Sequence, residues 1–84
     1  MEVFIKVPPR YYERLWSRIP DHSLAREAIE RATRVDPAAD GLLFEGYNIA
    51  CDENQARIIL EMAAEHCPEV VPDIEKAIAR AGTG

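Results

Sequence analysis

The sequence has few of the residues that usually build a catalytic or metal-binding site. Its 84 residues include four glycines, two cysteines and two histidines, and two of the glycines are in the C-terminal tail. A glycine-rich loop that cradles phosphate is therefore excluded. His66 and Cys67 are adjacent, so on a helix they point about 100° apart, whereas zinc ligands usually come in pairs separated by about two to four residues. The sequence predicts no metal site and no bound cofactor.

Two cysteines also offer little basis for redox chemistry or for a disulfide. Cys51 and Cys67 lie on either side of a predicted helix, whose rise of about 1.5 Å per residue separates them by more than ~20 Å. A disulfide requires Cα atoms within about 7 Å. Cys51 precedes the helix N-terminus, which favours a thiolate, but Asp52 beside it has the opposite effect, so a buried structural cysteine is predicted. We expect the chain not to be an enzyme.

Long apolar runs are absent too. No run approaches the roughly 18–20 residues that span a bilayer. Residues 1–7 lack the basic start and the long apolar stretch of a signal peptide. We therefore expect the protein to stay in the cytoplasm, where thiols are kept reduced.

Positive charge is scarce, and it is unevenly distributed. The net charge of −5 argues against a general nucleic-acid binder, which needs a basic surface. Residues 1–35 carry seven Lys and Arg against five Asp and Glu, a balance of +2, and residues 36–84 carry three against ten, a balance of −7. Either the two parts attract each other within one molecule, or the chain presents two faces of opposite sign.

What the sequence does contain is a regular succession of short amphipathic elements. We predict one domain of the α+β class, with order β-α-α-β-α-α and two short antiparallel strands packed on four helices. Asp52 and Gln55 have the spacing of a capping box at the start of the third helix, which we expect at the centre of the core. Residues 1–35 and residues 42–82 each have the predicted order β-α-α, so they could form a pseudo-repeat. The predicted elements are strands Val3–Val7 and Leu42–Cys51, and helices Arg10–Ile19, Ser23–Arg34, Glu53–His66 and Pro72–Gly82.

Three arginines form a candidate binding surface on the first helix. Arg10, Arg14 and Arg18 recur at every fourth position, so they lie on one face. Guanidinium groups in a row can bind phosphate or an acidic partner. The alternative is a solvated face that pairs with the acidic half of the same chain.

The start of the second strand is a second candidate. Leu42 and Phe44 point to one face of a strand and Leu43 to the other. One face can enter the core, whereas the other needs a cover, which can come from the same chain or from another protein. Because two strands alone form a marginal sheet, pairing with a second copy of the chain is favoured.

The N-terminal third resembles the ribbon-helix-helix family of dimeric DNA-binding proteins. The resemblance rests on residues 3–7, on the helix-opening Pro8 and Pro9, and on residues 23–29. It implies a dimer whose paired strands enter the major groove, with the side chains at positions 2, 4 and 6 facing the bases and the amides at Ser23 meeting the phosphate backbone. Phe4 and Glu2 depart from the pattern, because groove readout uses polar or basic side chains.

Two functional hypotheses follow. The first is a small protein–protein interaction or regulatory module without catalytic activity, in which the first-helix arginines and the strand around Leu42 bind a protein partner or a second copy. The alternative is a nucleic-acid-binding regulator of ribbon-helix-helix type that uses Lys6, Arg10, Arg14 and Arg18. Nucleic-acid binding should weaken steeply with salt, whereas an apolar interface should hardly respond.

Overall fold

The computed structural model describes residues 2–35 and 45–83. Within these ranges the chain forms four helices and a three-stranded antiparallel sheet, which confirms the predicted α+β class. A short 3-10 turn, Pro68–Val70, precedes the last helix. The elements in chain order are β1 (Glu2–Val7), α1 (Pro9–Arg18), α2 (Leu24–Glu30), β2 (Thr33–Val35), β3 (Gly46–Asp52), α3 (Glu53–His66) and α4 (Val71–Thr83).

The sheet has the order β1-β3-β2, with β3 in the centre and antiparallel to both neighbours. The residues of β1 alternate between exposed and buried, because successive side chains of a strand point to opposite faces. Its inner face carries Val3, Ile5 and Val7, which are fully buried. Its outer face carries the side chains at positions 2, 4 and 6, which are exposed.

The structure contains a strand that we did not expect, β2, and the second helix is shorter than predicted. We expected that helix to continue to Arg34, but it ends at Glu30 and residues 33–35 pair with β3. Thr33 and Val35 are β-branched and favour a pleated surface, and the exposed backbone of β3 provides the pairing partner. Gly46, opposite Val35, has a backbone φ of 155°, which residues other than glycine rarely adopt.

The start of the predicted second strand, including Leu42 and Phe44, lies outside the described residues. Only the part from Gly46 onward is described as β3. The proposed pseudo-repeat of residues 1–35 and 42–82 stays a prediction.

Helix boundaries follow local signals in the sequence. Pro9 occupies the first turn of α1, where its missing N–H costs no hydrogen bond. Ser23 caps α2 and accepts a hydrogen bond from the amide of Ala25. The predicted capping box of α3 is confirmed: Asp52 Oδ1 accepts from the Gln55 amide at 2.7 Å, and Gln55 Oε1 accepts from the Asp52 amide at 3.0 Å.

The hydrophobic core lies between the inner face of the sheet and the helices. Helix α3 occupies its centre, as predicted, and contacts every other helix as well as β1 and β3. Helix α4 packs against α3 and runs beside β1, with Ile74 fully buried. The largest fully buried side chains are Val3, Ile5, Val7, Leu15, Ile29, Ile49, Ile59, Cys67, Val70 and Ile74.

Candidate interaction surfaces

The arginines of α1 have different surroundings in the structure. Arg14 donates a hydrogen bond to the carbonyl of His66 at 3.2 Å, at the end of α3, and forms an ion pair with Glu69 at 3.9 Å. The guanidinium of Arg10 lies over the ring of Tyr11 at 4.7 Å. Arg18 is exposed at the end of α1. Arg14 therefore connects α1 to the residues at the end of α3, although about half of its side chain is exposed.

Ion pairs join the basic and acidic parts of the chain at two described positions. Besides Arg14 and Glu69, the side chain of Arg34 lies 3.9 Å from Glu45. Both pairs are largely exposed, so each contributes at most about 1 kcal/mol. Of the two alternatives that the charge distribution leaves open, attraction within one molecule is represented by these two exposed pairs, which contribute little to the stability of the fold.

Arg26 joins α1 to α2. Its guanidinium lies over the Trp16 ring, 3.9 Å from the ring centroid. It also donates hydrogen bonds to two backbone carbonyls at the C-terminal end of α1, those of Trp16 at 2.7 Å and Ile19 at 3.3 Å. It also forms ion pairs with Glu30 at 3.2 Å and Asp21 at 3.7 Å. One face of Trp16 is therefore covered by the protein itself, although the residue is 39% exposed.

A pair of stacked tyrosines anchors α1 on the sheet. The rings of Tyr12 and Tyr47 lie 3.8 Å apart and nearly parallel. The Tyr12 hydroxyl donates to the Ile29 carbonyl at 2.6 Å. Burial, together with Tyr47, raises the pKa of the Tyr12 hydroxyl above its ordinary value. Since Tyr47 belongs to the inner face of β3, α1 packs on the side of the sheet opposite to Lys6.

The two cysteines are free and buried. Burial, with smaller contributions from Asp52 and Glu2, raises the pKa of the Cys51 thiol to about 11. Burial also raises the pKa of Cys67. The predicted burial of Cys51 is confirmed, and both thiols are protonated near neutral pH. Across residues 2–35 and 45–83, no group of three or more His, Cys, Asp and Glu side chains could hold a metal ion.

A groove of about 690 Å³ runs between the outer face of the sheet and α4. Phe4 lies in this groove and is 52% exposed. We call this surface the sheet–helix groove. Its lining residues are Glu2, Phe4, Lys6, Asn48, Asp73, Lys76, Ala77, Arg80 and Ala81.

Charge varies along the floor of the sheet–helix groove. At one end Glu2 lies opposite Asp52, in the middle Phe4 lies opposite Ala50, and at the other end Lys6 lies opposite Asn48. The outer face of the two strands is thus acidic at one end, apolar in the middle and basic at the other. Asn48 Oδ1 is buried and has no hydrogen-bond partner within the described part of the chain.

The sheet–helix groove contains Glu2, Phe4 and Lys6, the positions that the ribbon-helix-helix resemblance places on the outer face of β1, but none of the residues predicted to bind a protein partner. Arg10, Arg14 and Arg18 belong to α1, on the inner side of the sheet, and the positions of Leu42 and Phe44 are not described. Sequence reasoning missed the groove because it depends on where α4 lies relative to β1. One signal was present, since Phe4 is a large apolar residue on the otherwise charged face of an alternating strand.

Comparison with models of known protein families, with curated proteins and with solved structures gives no match to this chain. The resemblance to ribbon-helix-helix proteins therefore stays a prediction. Its expected strand β1 is present with the side chains at positions 2, 4 and 6 exposed, and one edge of that strand pairs with β3 of the same chain over all six residues. No described helix is long and apolar enough to cross a membrane.

Proposed function

We propose that this chain is a non-catalytic protein–protein interaction module that binds its partner in the sheet–helix groove. The observation that carries the proposal is the position of Phe4, a half-exposed aromatic ring in a concave surface between charges of both signs. Covering the exposed half of such a ring stabilises a complex by about 1 kcal/mol. Aromatic side chains in concave surfaces are typical of the residues that dominate binding energy.

The other two large apolar residues that are exposed in the described part of the chain, Trp16 and Leu24, are weaker candidates for a binding site than Phe4. Trp16 is partly covered by the guanidinium of Arg26. Leu24 is 68% exposed at the first turn of a seven-residue helix and does not line the groove. Isolated exposed apolar residues are normal on protein surfaces, so Leu24 serves as a control rather than as a second candidate.

The charges in the groove favour a protein partner. Lys6 and Lys76 form no hydrogen bond or ion pair with any described residue, so their ammonium groups are available to a ligand. Glu2 and Asp73 line the same groove, and carboxylates repel a nucleic-acid backbone. A protein surface with an apolar side chain between charges of both signs complements this pattern. We also propose that the protein acts in the cytoplasm, where Cys51 and Cys67 remain thiols.

The test is affinity capture from a lysate of the source organism, with wild type, Phe4→Thr and Leu24→Ala as baits. Threonine retains a high β-propensity, so Phe4→Thr removes the ring without weakening β1. We expect a stoichiometric protein to bind the wild type and Leu24→Ala, and to be lost with Phe4→Thr. Half of each lysate is treated with nuclease. Binding that disappears with nuclease, or that is equal for Phe4→Thr and wild type, would contradict the proposal.

A further inference from the structure

We infer that the partner in the sheet–helix groove is a second copy of this chain, related to the first by a two-fold axis that passes beside Phe4. This inference rests on the proposed function, because it names the occupant of the same surface. It starts from the order of charges on β1, where an acidic residue, an aromatic residue and a basic residue succeed one another on one face.

Glu2 and Lys6 cannot neutralise each other within the strand. Four residues of a strand span about 13 Å, which is longer than an ion pair can bridge. Neither residue has an ion pair of 4.0 Å or less with another described residue. The neighbour of Glu2 across the strands is Asp52, also acidic, and like charges directly opposite each other are destabilising. Arg31 lines a small pocket with both carboxylates, but its described ion pair is with Glu27.

A second copy supplies the missing charges. A two-fold interface brings residue i of one copy to residue j of its partner, and j to i. When two β1 strands face each other in opposite directions with Phe4 at the axis, Glu2 of each copy meets Lys6 of the other. Two ion pairs form, and the two Phe4 rings meet between them, where offset or tilted aromatic pairs are favourable.

Helix α4 lines the same groove with Asp73 near its start, Lys76 and Arg80 further along, and the small residues Ala77 and Ala81. In an antiparallel pair of α4 helices, the acidic start of each helix lies toward the basic remainder of the other. Ala77 and Ala81 are small, so they allow the two helices to approach closely. The order of charges on β1 carries the inference, because Lys76 interrupts the corresponding order on α4.

Charge reversal tests this arrangement by sedimentation velocity over a series from low to high micromolar concentration. We expect wild type to form a dimer and Phe4→Thr to remain a monomer. Glu2→Lys and Lys6→Glu each replace two attractive contacts by two repulsive ones, so each should weaken the dimer about tenfold or more. The double variant Glu2→Lys/Lys6→Glu restores both pairs and should dimerise like wild type. An equimolar mixture of the two single variants should form a heterodimer.

Restoration separates charge pairing from damage to the fold, because a variant that merely unfolds is not rescued by a second reversal or by mixing. Wild type that is monomeric throughout the series overturns the inference, as does a dimer that is unaffected by Phe4→Thr. Failure of both the double variant and the mixture to dimerise, when wild type does, also overturns it. If wild type is monomeric but captures a different protein through Phe4, the self-association is refuted and the proposed function stands.

Discussion

Replacing Arg26 by lysine keeps the positive charge but removes the planar guanidinium that joins α1 to α2. In the wild type this group is stacked 3.9 Å above Trp16 and donates to the carbonyls of Trp16 and Ile19. An ammonium group can keep one of these hydrogen bonds and the attraction to Glu30, but it cannot keep the stack and both carbonyl contacts together.

The expected loss can be estimated from these contacts. The stack is worth about 0.5–1 kcal/mol, and one lost hydrogen bond about 0.5–1.5 kcal/mol. We therefore expect Arg26→Lys to lower the free energy of unfolding by about 1–2.5 kcal/mol. For a domain of this size that loss corresponds to a fall in Tm of roughly 4–20 °C.

The matched control for Arg26→Lys is Arg31→Lys, at the C-cap of the same helix. Arg31 has an exposed side chain whose described ion pair is with Glu27 at 3.8 Å, so this change should cost less than about 0.5 kcal/mol. Thermal and urea unfolding of both variants, followed by far-UV circular dichroism, measures the difference. If Arg26→Lys and Arg31→Lys are equally stable, the guanidinium of Arg26 does not join the helices as described.

Three further predictions concern single groups in the fold. Tyr12→Phe removes the hydroxyl that donates to Ile29, so it should cost about 1 kcal/mol in urea unfolding, whereas Tyr11→Phe should cost little; equal effects would refute the role of this hydrogen bond. Asp52→Ala should destabilise the domain by about 1 kcal/mol through loss of the α3 cap, and Asp52→Asn should largely preserve it, because asparagine caps equally well. Cys51 in the unfolded chain ionises near pH 9, whereas burial raises the pKa of the folded thiol to about 11. The contribution of Cys51 to stability is therefore complete below about pH 9 and is lost as the pH rises to about 11. The difference in unfolding free energy between wild type and Cys51→Ala should therefore fall by roughly 2–3 kcal/mol over that range, and a constant difference would contradict the burial of this thiol.

Local signals in the sequence were sufficient to predict several elements. The capping box of Asp52 and Gln55 marks the start of α3, and its end at His66 is followed by Pro68. Pro8 and Pro9 separate β1 from α1 in the same way. These features depend on hydrogen bonds and steric restrictions within a few residues, so they can be recognised without knowledge of the tertiary structure.

Elements that depend on distant contacts were not predicted. β2 has three residues and continues a helical pattern in the sequence, and only its pairing with β3 defines it as a strand. The position of α4 beside β1, which creates the sheet–helix groove, is likewise a property of the packed chain. The same limit applies to Arg14, because its regular spacing in the sequence does not reveal the hydrogen bond to the end of α3.

The most direct test of the account is site-specific photocrosslinking in cells of the source organism. A photoreactive phenylalanine analogue replaces Phe4 in one variant and Leu24 in the other, and adducts are identified by mass spectrometry. We predict a protein adduct at position 4, a second copy of the chain if the two-fold arrangement is correct, and no specific adduct at position 24. Nucleic acid at position 4, or a protein adduct at position 24 alone, would contradict the sheet–helix groove as the protein-binding surface.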